Sequence, residues 1–150
     1  MRRLILSSPE AMFELGRSLG RAAGPGTVIA VHGELGTGKT VLARGVGAGL
    51  AVPTRVQSPT YVIMQSHPGG RLPLWHVDLY RLSDPDDLEQ LGLDEALASG
   101  GVMVVEWPDR FDGWLPADHL AIHLEHRGSE RAATIEGRGA AHAELERQVG

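Results

Sequence analysis

The 150-residue chain contains no cysteine, which excludes disulfides, thiolate metal sites and a cysteine nucleophile. Long apolar runs are also missing. The longest, such as Val102 to Val105, are strand-sized, far short of a bilayer-spanning helix, so no membrane association is expected. The start, MRRLILSSPE, has two arginines but an apolar stretch of only three residues, too little for a secretory signal. A cytoplasmic location is the expectation. Basic character is lacking too: the net charge is −5 and the pI about 5.8. That argues against a protein which grips nucleic acid by itself through phosphate contacts, but not against an indirect role through a basic partner. Repeats, low-complexity tracts and linkers are absent, and the length suits one domain, residues 1–150, with a real core.

What is present is organised around Thr27 to Thr40, TVIAVHGELGTGKT. A β-branched apolar segment runs into Gly33, Glu34, Leu35, Gly36, Thr37, Gly38, Lys39 and Thr40, then into a predicted helix from Val41 to Leu50. This is the strand–loop–helix context of a phosphate-binding loop. Its glycines allow a sharp turn and close backbone approach, so that successive N–H groups can face phosphate oxygens. The helix start adds its dipole and unpaired amides. In such loops the lysine reaches the β and γ phosphates and the hydroxyl ligates Mg²⁺, the roles expected of Lys39 and Thr40. A chance match of this kind arises in on the order of one per cent of chains this long.

Around this loop the pattern is α/β. Arg3 to Ser7 reads as a first strand. Ser8-Pro9-Glu10 starts a helix that runs to about Ala23 with Met12, Leu15 and Leu19 on one face. Val52 to Pro59 reads as a loop delivering Thr60 to a strand from Tyr61 to Gln65, which is expected to form a hairpin with, or lie beside, Leu72 to Val77. Two short helices follow, Asp86 to Leu91 and Asp94 to Ala98, and then a strand buried on both faces, Val102 to Val105. Leu120 to Leu124 and Ala132 to Ile135 are expected to form an antiparallel pair, with a helical tail from Ala140 to Val149.

Two acids end strands: Asp78 and Glu106. In an open α/β sheet, nucleotide lies beyond the carboxyl ends of the strands. Either acid could hold Mg²⁺ opposite Thr40 while the other orients the attacking water; the alternative is a solvent-facing strand end. Thr60 is either a γ-phosphate sensor or a turn-satisfying hydroxyl. Trp107 is either a core aromatic, the commoner case, or a ring near the nucleotide or a partner. Arg44, Arg81, Arg110 and Arg131 are candidates for neutralising transition-state charge; the commoner case for each is a solvated or salt-bridged residue. A histidine metal site is not expected, because His126 points away from His119 and His123 on a strand. No Asn-Lys-x-Asp motif is present, which disfavours GTP.

GELGTGKT, SPTY at Ser58 to Tyr61, HVDLYRL at His76 to Leu82, DPDDLEQLGL at Asp84 to Leu93 and EWPDR at Glu106 to Arg110 together resemble the TsaE (YjeE) family. The likeness extends from about residue 6 to 137. It implies a P-loop NTPase-like three-layer sandwich with a mostly parallel central sheet and a C-terminal antiparallel hairpin. It further implies binding of ATP or ADP with Mg²⁺, slow ATP hydrolysis, and work alongside TsaD and TsaB to make threonylcarbamoyladenosine in tRNA, with tRNA met only through that complex. Carried over by position, Lys39 and Thr40 serve phosphate and metal, Asp78 and Glu106 fall on the acidic site positions, and Thr60 and Trp107 match the switch-like threonine and the motif tryptophan. Ser8 and Arg131 stand for the amino-terminal segment and late arginine that approach the nucleotide, with Met12 where a threonine is frequent. The rival readings are a small-molecule kinase, which shares the loop but would need an acceptor segment where Ser83 to Ser99 is acidic, and a docking module that binds ATP without turning it over.

Overall fold

A computed structural model describes residues 1–53, 56 and 63–149. Seven strands form one sheet in the order β1-β7-β6-β2-β5-β4-β3. These are β1 (Arg2–Leu6), β2 (Val28–His32), β3 (Met64–His67), β4 (Leu74–Asp78), β5 (Val102–Glu106), β6 (His119–Arg127) and β7 (Glu130–Arg138). The four central strands β6, β2, β5 and β4 run parallel. Antiparallel pairs flank them: β3 on β4, and β7 joined to both β6 and β1. This is the expected mostly parallel centre with a C-terminal hairpin.

The central position of β2 and β5 follows from their residues. Val28 to Val31 and all five residues of β5 are buried, as expected of parallel strands covered on both faces. On one face Leu19, Ile29, Leu42, Val46, Val104 and Ile122 join a core under α1 (Pro9–Ala22), α2 (Lys39–Gly49) and α5 (Ala140–Gln148). The other face carries a smaller core, with Val77, Met103 and Val105 packed against Leu88 of α3 (Pro85–Gln90) and Leu93 of α4 (Leu93–Ala98). Helices on both sides of a sheet make three layers.

Local signals set the helix starts. Ser8 caps α1 by accepting the Ala11 N–H at 3.1 Å, and Pro9 stands in the first turn. α3 is capped in the same way by Asp84, which accepts the Asp86 N–H at 2.9 Å.

Several boundaries differ from expectation. α2 starts at Lys39 rather than Val41, because Gly38 takes the left-handed cap position (φ 103°). β3 begins at Met64 and reaches His67, which was expected in the connecting link. β6 and β7 have nine residues each, longer than their apolar stretches, since the backbone ladder continues from Leu124↔Ala133 to Arg127↔Glu130 through polar positions. The expected switch-like Thr60, with the rest of SPTY, lies outside the described residues.

Candidate active site

The site lies where three parallel strands end. Residues directly opposite in a ladder project from the same face, and the register pairs Asp78 with Glu106 and Glu106 with Val31. The two acids are therefore neighbours, one residue pair from the start of the phosphate loop. In β5, Val102, Val104 and Glu106 share a face. In β4, Leu74, His76 and Asp78 do the same. Leu74, Val102 and Val104 belong to the core beneath α2, so both carboxylates project toward that helix.

The loop is shaped by its glycines. A Cβ on Gly33 would lie 2.6 Å from Thr37 Oγ1 and 2.9 Å from the Leu124 carbonyl oxygen. Gly38 has a φ that side-chain-bearing residues rarely adopt. Among the described residues no side chain caps the α2 start, and no acid occupies its first turn, which leaves its dipole end and early amides available to an anion.

Lys39 is the sole lysine of the chain and is 5 % exposed. Its Nζ donates to the carbonyls of Gly33 at 2.7 Å and Glu34 at 2.8 Å and stands 4.3 Å above the centre of the Trp107 ring. Burial lowers its pKa, opposed by the charges of Glu106, Asp78 and Asp109. Asp78 is pushed up, chiefly by burial, against a backbone hydrogen bond from Tyr80 at 3.0 Å. Thr40 Oγ1 donates to Glu106, 3.1 Å from Oε1 and 3.2 Å from Oε2.

A cleft of about 480 Å³ gathers Lys39, Thr40, Asp78, Arg81, Glu106 and Trp107. Trp107 is half-buried rather than sealed in the core: it touches the second core cluster while its ring walls this cleft beside Tyr80, 4.9 Å between centroids. A second cavity of about 210 Å³ on the loop holds Ser8, Met12, Gly36, Gly38 and Arg131, and one Arg131 Nη is 3.3 Å from the Gly36 carbonyl oxygen. Glu34 contributes its carbonyl to Lys39, Leu35 is exposed at the mouth, and Thr37 Oγ1 donates to the Glu34 carbonyl at 2.8 Å.

Other candidates are turned elsewhere. Arg44 donates to the Val56 carbonyl at 3.2 Å and Arg110 to the Leu82 carbonyl at 2.9 Å. His126 bonds to the Leu35 carbonyl on the loop side, whereas His123 stacks on His32, 4.3 Å between centroids. Among the described residues no group of three or more His, Cys, Asp or Glu could hold a metal, and no helix is long and apolar enough to cross a membrane. One participant was missed in the sequence. His76 is fully buried with Nε2 2.6 Å from Glu106 Oε2; spacing by two from Asp78 was the signal that could have found it.

A parallel sheet flanked by helices, with a glycine-rich loop feeding a helix at the carboxyl ends of the strands, defines a P-loop nucleotide-binding fold. The family model described as "Threonylcarbamoyl adenosine biosynthesis protein TsaE" matches residues 6–134, and the chain belongs to the TsaE family. It is 43 % identical over 127 residues to the tRNA threonylcarbamoyladenosine biosynthesis protein TsaE of Streptomyces coelicolor, covering 83 % of this chain and 85 % of the relative. Identity to the Bacillus subtilis protein of the same name is 37 % over 123 residues, covering 82 % and 77 %. The crystal structure of Bacillus subtilis YdiB superposes with a TM-score of 0.85 at 30 % identity, over 98 % of this chain and 92 % of that one.

Proposed function

We propose that this chain is a Mg²⁺-dependent ATPase that serves threonylcarbamoyladenosine formation in tRNA by driving the cycle of TsaD and TsaB. The observation that carries the reading is the meeting of Lys39, Thr40, Asp78 and Glu106 in one cleft at the strand ends, in a chain whose relatives are named for this modification. The donor set fits the ligand. Uncapped amides and an ammonium suit phosphates, while a hydroxyl beside two carboxylates supplies the hard oxygen ligands that Mg²⁺ takes together with phosphate.

Bound Mg²⁺ would supply neutralisation of charge developing on the transferred phosphoryl group. The chain's own residues do the rest. Lys39 exchanges the Gly33 and Glu34 carbonyls for phosphate oxygens, the amides from Gly33 through Thr40 hold the phosphates, and Thr40 with Glu106 or Asp78 faces the metal. The remaining carboxylate orients water. The cavity at Ser8, Met12 and Arg131 flanks the same loop and suits the adenine end of ATP or ADP, while Trp107 walls the phosphate side. Thr60 is retained as a proposed γ-phosphate sensor. The acidic balance leaves tRNA to the partners, in the cytoplasm.

Reconstitution with TsaD and TsaB, reading modified tRNA, tests the proposal. Wild type is expected to support modification and Lys39→Ala to abolish it; equal yields would refute it. Labelled ATP should release free phosphate without labelling nucleosides or small acceptors, which separates an ATPase from a kinase.

A further inference from the structure

His76 has no role in the proposal above, yet it is placed for one. It lies within the sheet, opposite Gln65 of β3 on one side and Val104 of β5 on the other, and none of it is exposed. Its Nε2 meets Glu106 Oε2 at 2.6 Å, a short, charge-assisted contact. Its Nδ1 is buried and has no hydrogen-bond partner among the described residues, so the tautomer with hydrogen on Nε2 is the one that leaves no buried donor orphaned. A half-satisfied imidazole is an expensive residue for a core. Shape alone would be met more cheaply by an apolar side chain, so the bond to Glu106 is what this position gains from histidine.

Glu106 is 3 % exposed and receives Thr40 from the α2 side and His76 from the β4 side. Two side-chain donors thus fix the carboxylate in one orientation. Glu106 also feels the charge of Lys39, since the two attract each other, so removing the imidazole takes away one of the two side-chain contacts that hold the carboxylate against that pull.

We infer that His76 is a positioning residue: its Nε2–H holds the Glu106 carboxylate aligned with the Thr40 hydroxyl, and so sets the geometry for metal binding and hydrolysis. This rests on the ATPase reading.

The test compares wild type with two amides that differ in reach. In His76→Gln the side-chain nitrogen comes to the Nε2 position; in His76→Asn it falls one methylene short. Affinity for a fluorescent ATP analogue is measured in EDTA and in Mg²⁺, and single-turnover hydrolysis is followed with the partner proteins present. In EDTA all three should bind within about threefold of each other, because the amides and Lys39 are untouched. His76→Asn should lose about 10- to 100-fold both in the hydrolysis rate constant and in the Mg²⁺-dependent gain in affinity, the usual effect of removing a residue that orients a metal-facing ligand. His76→Gln should recover most of both. In a Glu106→Gln background, His76→Asn should add nothing, since the two act as one unit.

Wild-type behaviour of His76→Asn, equal impairment of both amides, or additive effects with Glu106→Gln would overturn the assignment. So would a parallel loss of EDTA affinity and melting temperature, the mark of a merely structural role. If His76→Asn does not fold, His76→Met, apolar and without a donor, replaces it with the same expectations. A wild type with neither hydrolysis nor Mg²⁺-dependent affinity overturns the ATPase reading itself; an active wild type with an unaffected His76→Asn overturns only the role of His76.

Discussion

Replacing Gly16 by alanine tests how the phosphate-loop helix is held in place. α1 and α2 cross through four glycines. A Cβ on Gly16 would lie 2.2 Å from the Leu42 carbonyl oxygen and 3.0 Å from Gly45 Cα. At Gly45 it would lie 2.2 Å from the Phe13 carbonyl oxygen, at Gly20 2.3 Å from that of Val46, and at Gly49 2.2 Å from that of Arg17. Carbon–oxygen contacts normally sit at about 3.3 Å or more, so the alanine must drive the helices apart by about 1 Å. Helix propensity alone favours alanine by about 1 kcal/mol. Against this, overpacking costs about 1–3 kcal/mol and more where the obstacle is backbone. An interface opened by that distance also gives up a quarter to a half of its dispersion contacts. The clash wins, and a net loss of about 2 kcal/mol should lower Tm by about 4–8 °C. Because α2 begins at Lys39, a shift of about 1 Å reaches the site and should slow hydrolysis on the order of 100-fold. Thermal melts with single-turnover hydrolysis measure both. Gly24→Ala is the control: among the described residues a Cβ there meets nothing within 4 Å, and its Tm should stay within about 2 °C of wild type. An unchanged or raised Tm for Gly16→Ala would show that the helices do not cross this closely.

Glu106→Gln should keep nucleotide affinity in EDTA while losing the Mg²⁺-dependent gain and slowing hydrolysis by about 100-fold or more; if hydrolysis survives, Glu106 is outside the reaction and Asp78 takes its place. Since Lys39 is the sole lysine, amine-reactive labelling read by mass spectrometry reports on it alone once the amino terminus is separated; ATP with Mg²⁺ should suppress that labelling by about tenfold or more, as expected from mass action at saturation, and undiminished labelling would contradict phosphate contact. Burial holds His142 and His32 below the ordinary 6.5, and His142 Nε2 accepts the Val28 N–H at 3.1 Å. The unfolded chain therefore takes up protons first on acidification, so stability is retained above 6.5 and declines as pH falls below it. Denaturant midpoints at about pH 7.5 and 5.5 should show this decline, and His142→Gln, which keeps an acceptor but does not titrate, should lessen it; a wild-type midpoint that does not move would contradict it.

Much of this molecule was legible where one local cause decides. The run Val102 to Val105 had no reading but a doubly covered strand, and Ser8-Pro9 started α1 where its cap chemistry said it would. The pairing of Asp78 with Glu106 followed from each acid ending a strand that feeds the nucleotide side of the sheet. The rest depends on partners distant in sequence. β6 and β7 run past their apolar residues because each supplies the other's backbone hydrogen bonds, a property of the pair that hydropathy does not register. Trp107 was weighted toward the core, but Pro108 disfavours the right-handed helical region for the residue before it. At φ 59° and ψ 50° Trp107 turns its ring over Lys39. His76 hid in a stretch read for its aspartate, and only the neighbouring strand shows what its imidazole meets.

The placement of Lys39, Thr40, Asp78 and Glu106 around one triphosphate is tested most directly by a crystal structure with a non-hydrolysable ATP analogue and Mn²⁺, whose anomalous signal locates the metal. The expected map has the phosphates on the amides from Gly33 through Thr40, Lys39 moved onto them, and the metal peak in contact with the Thr40 hydroxyl on the side of Glu106 and Asp78. Phosphates bound away from Lys39, or a metal peak remote from both carboxylates, would contradict it.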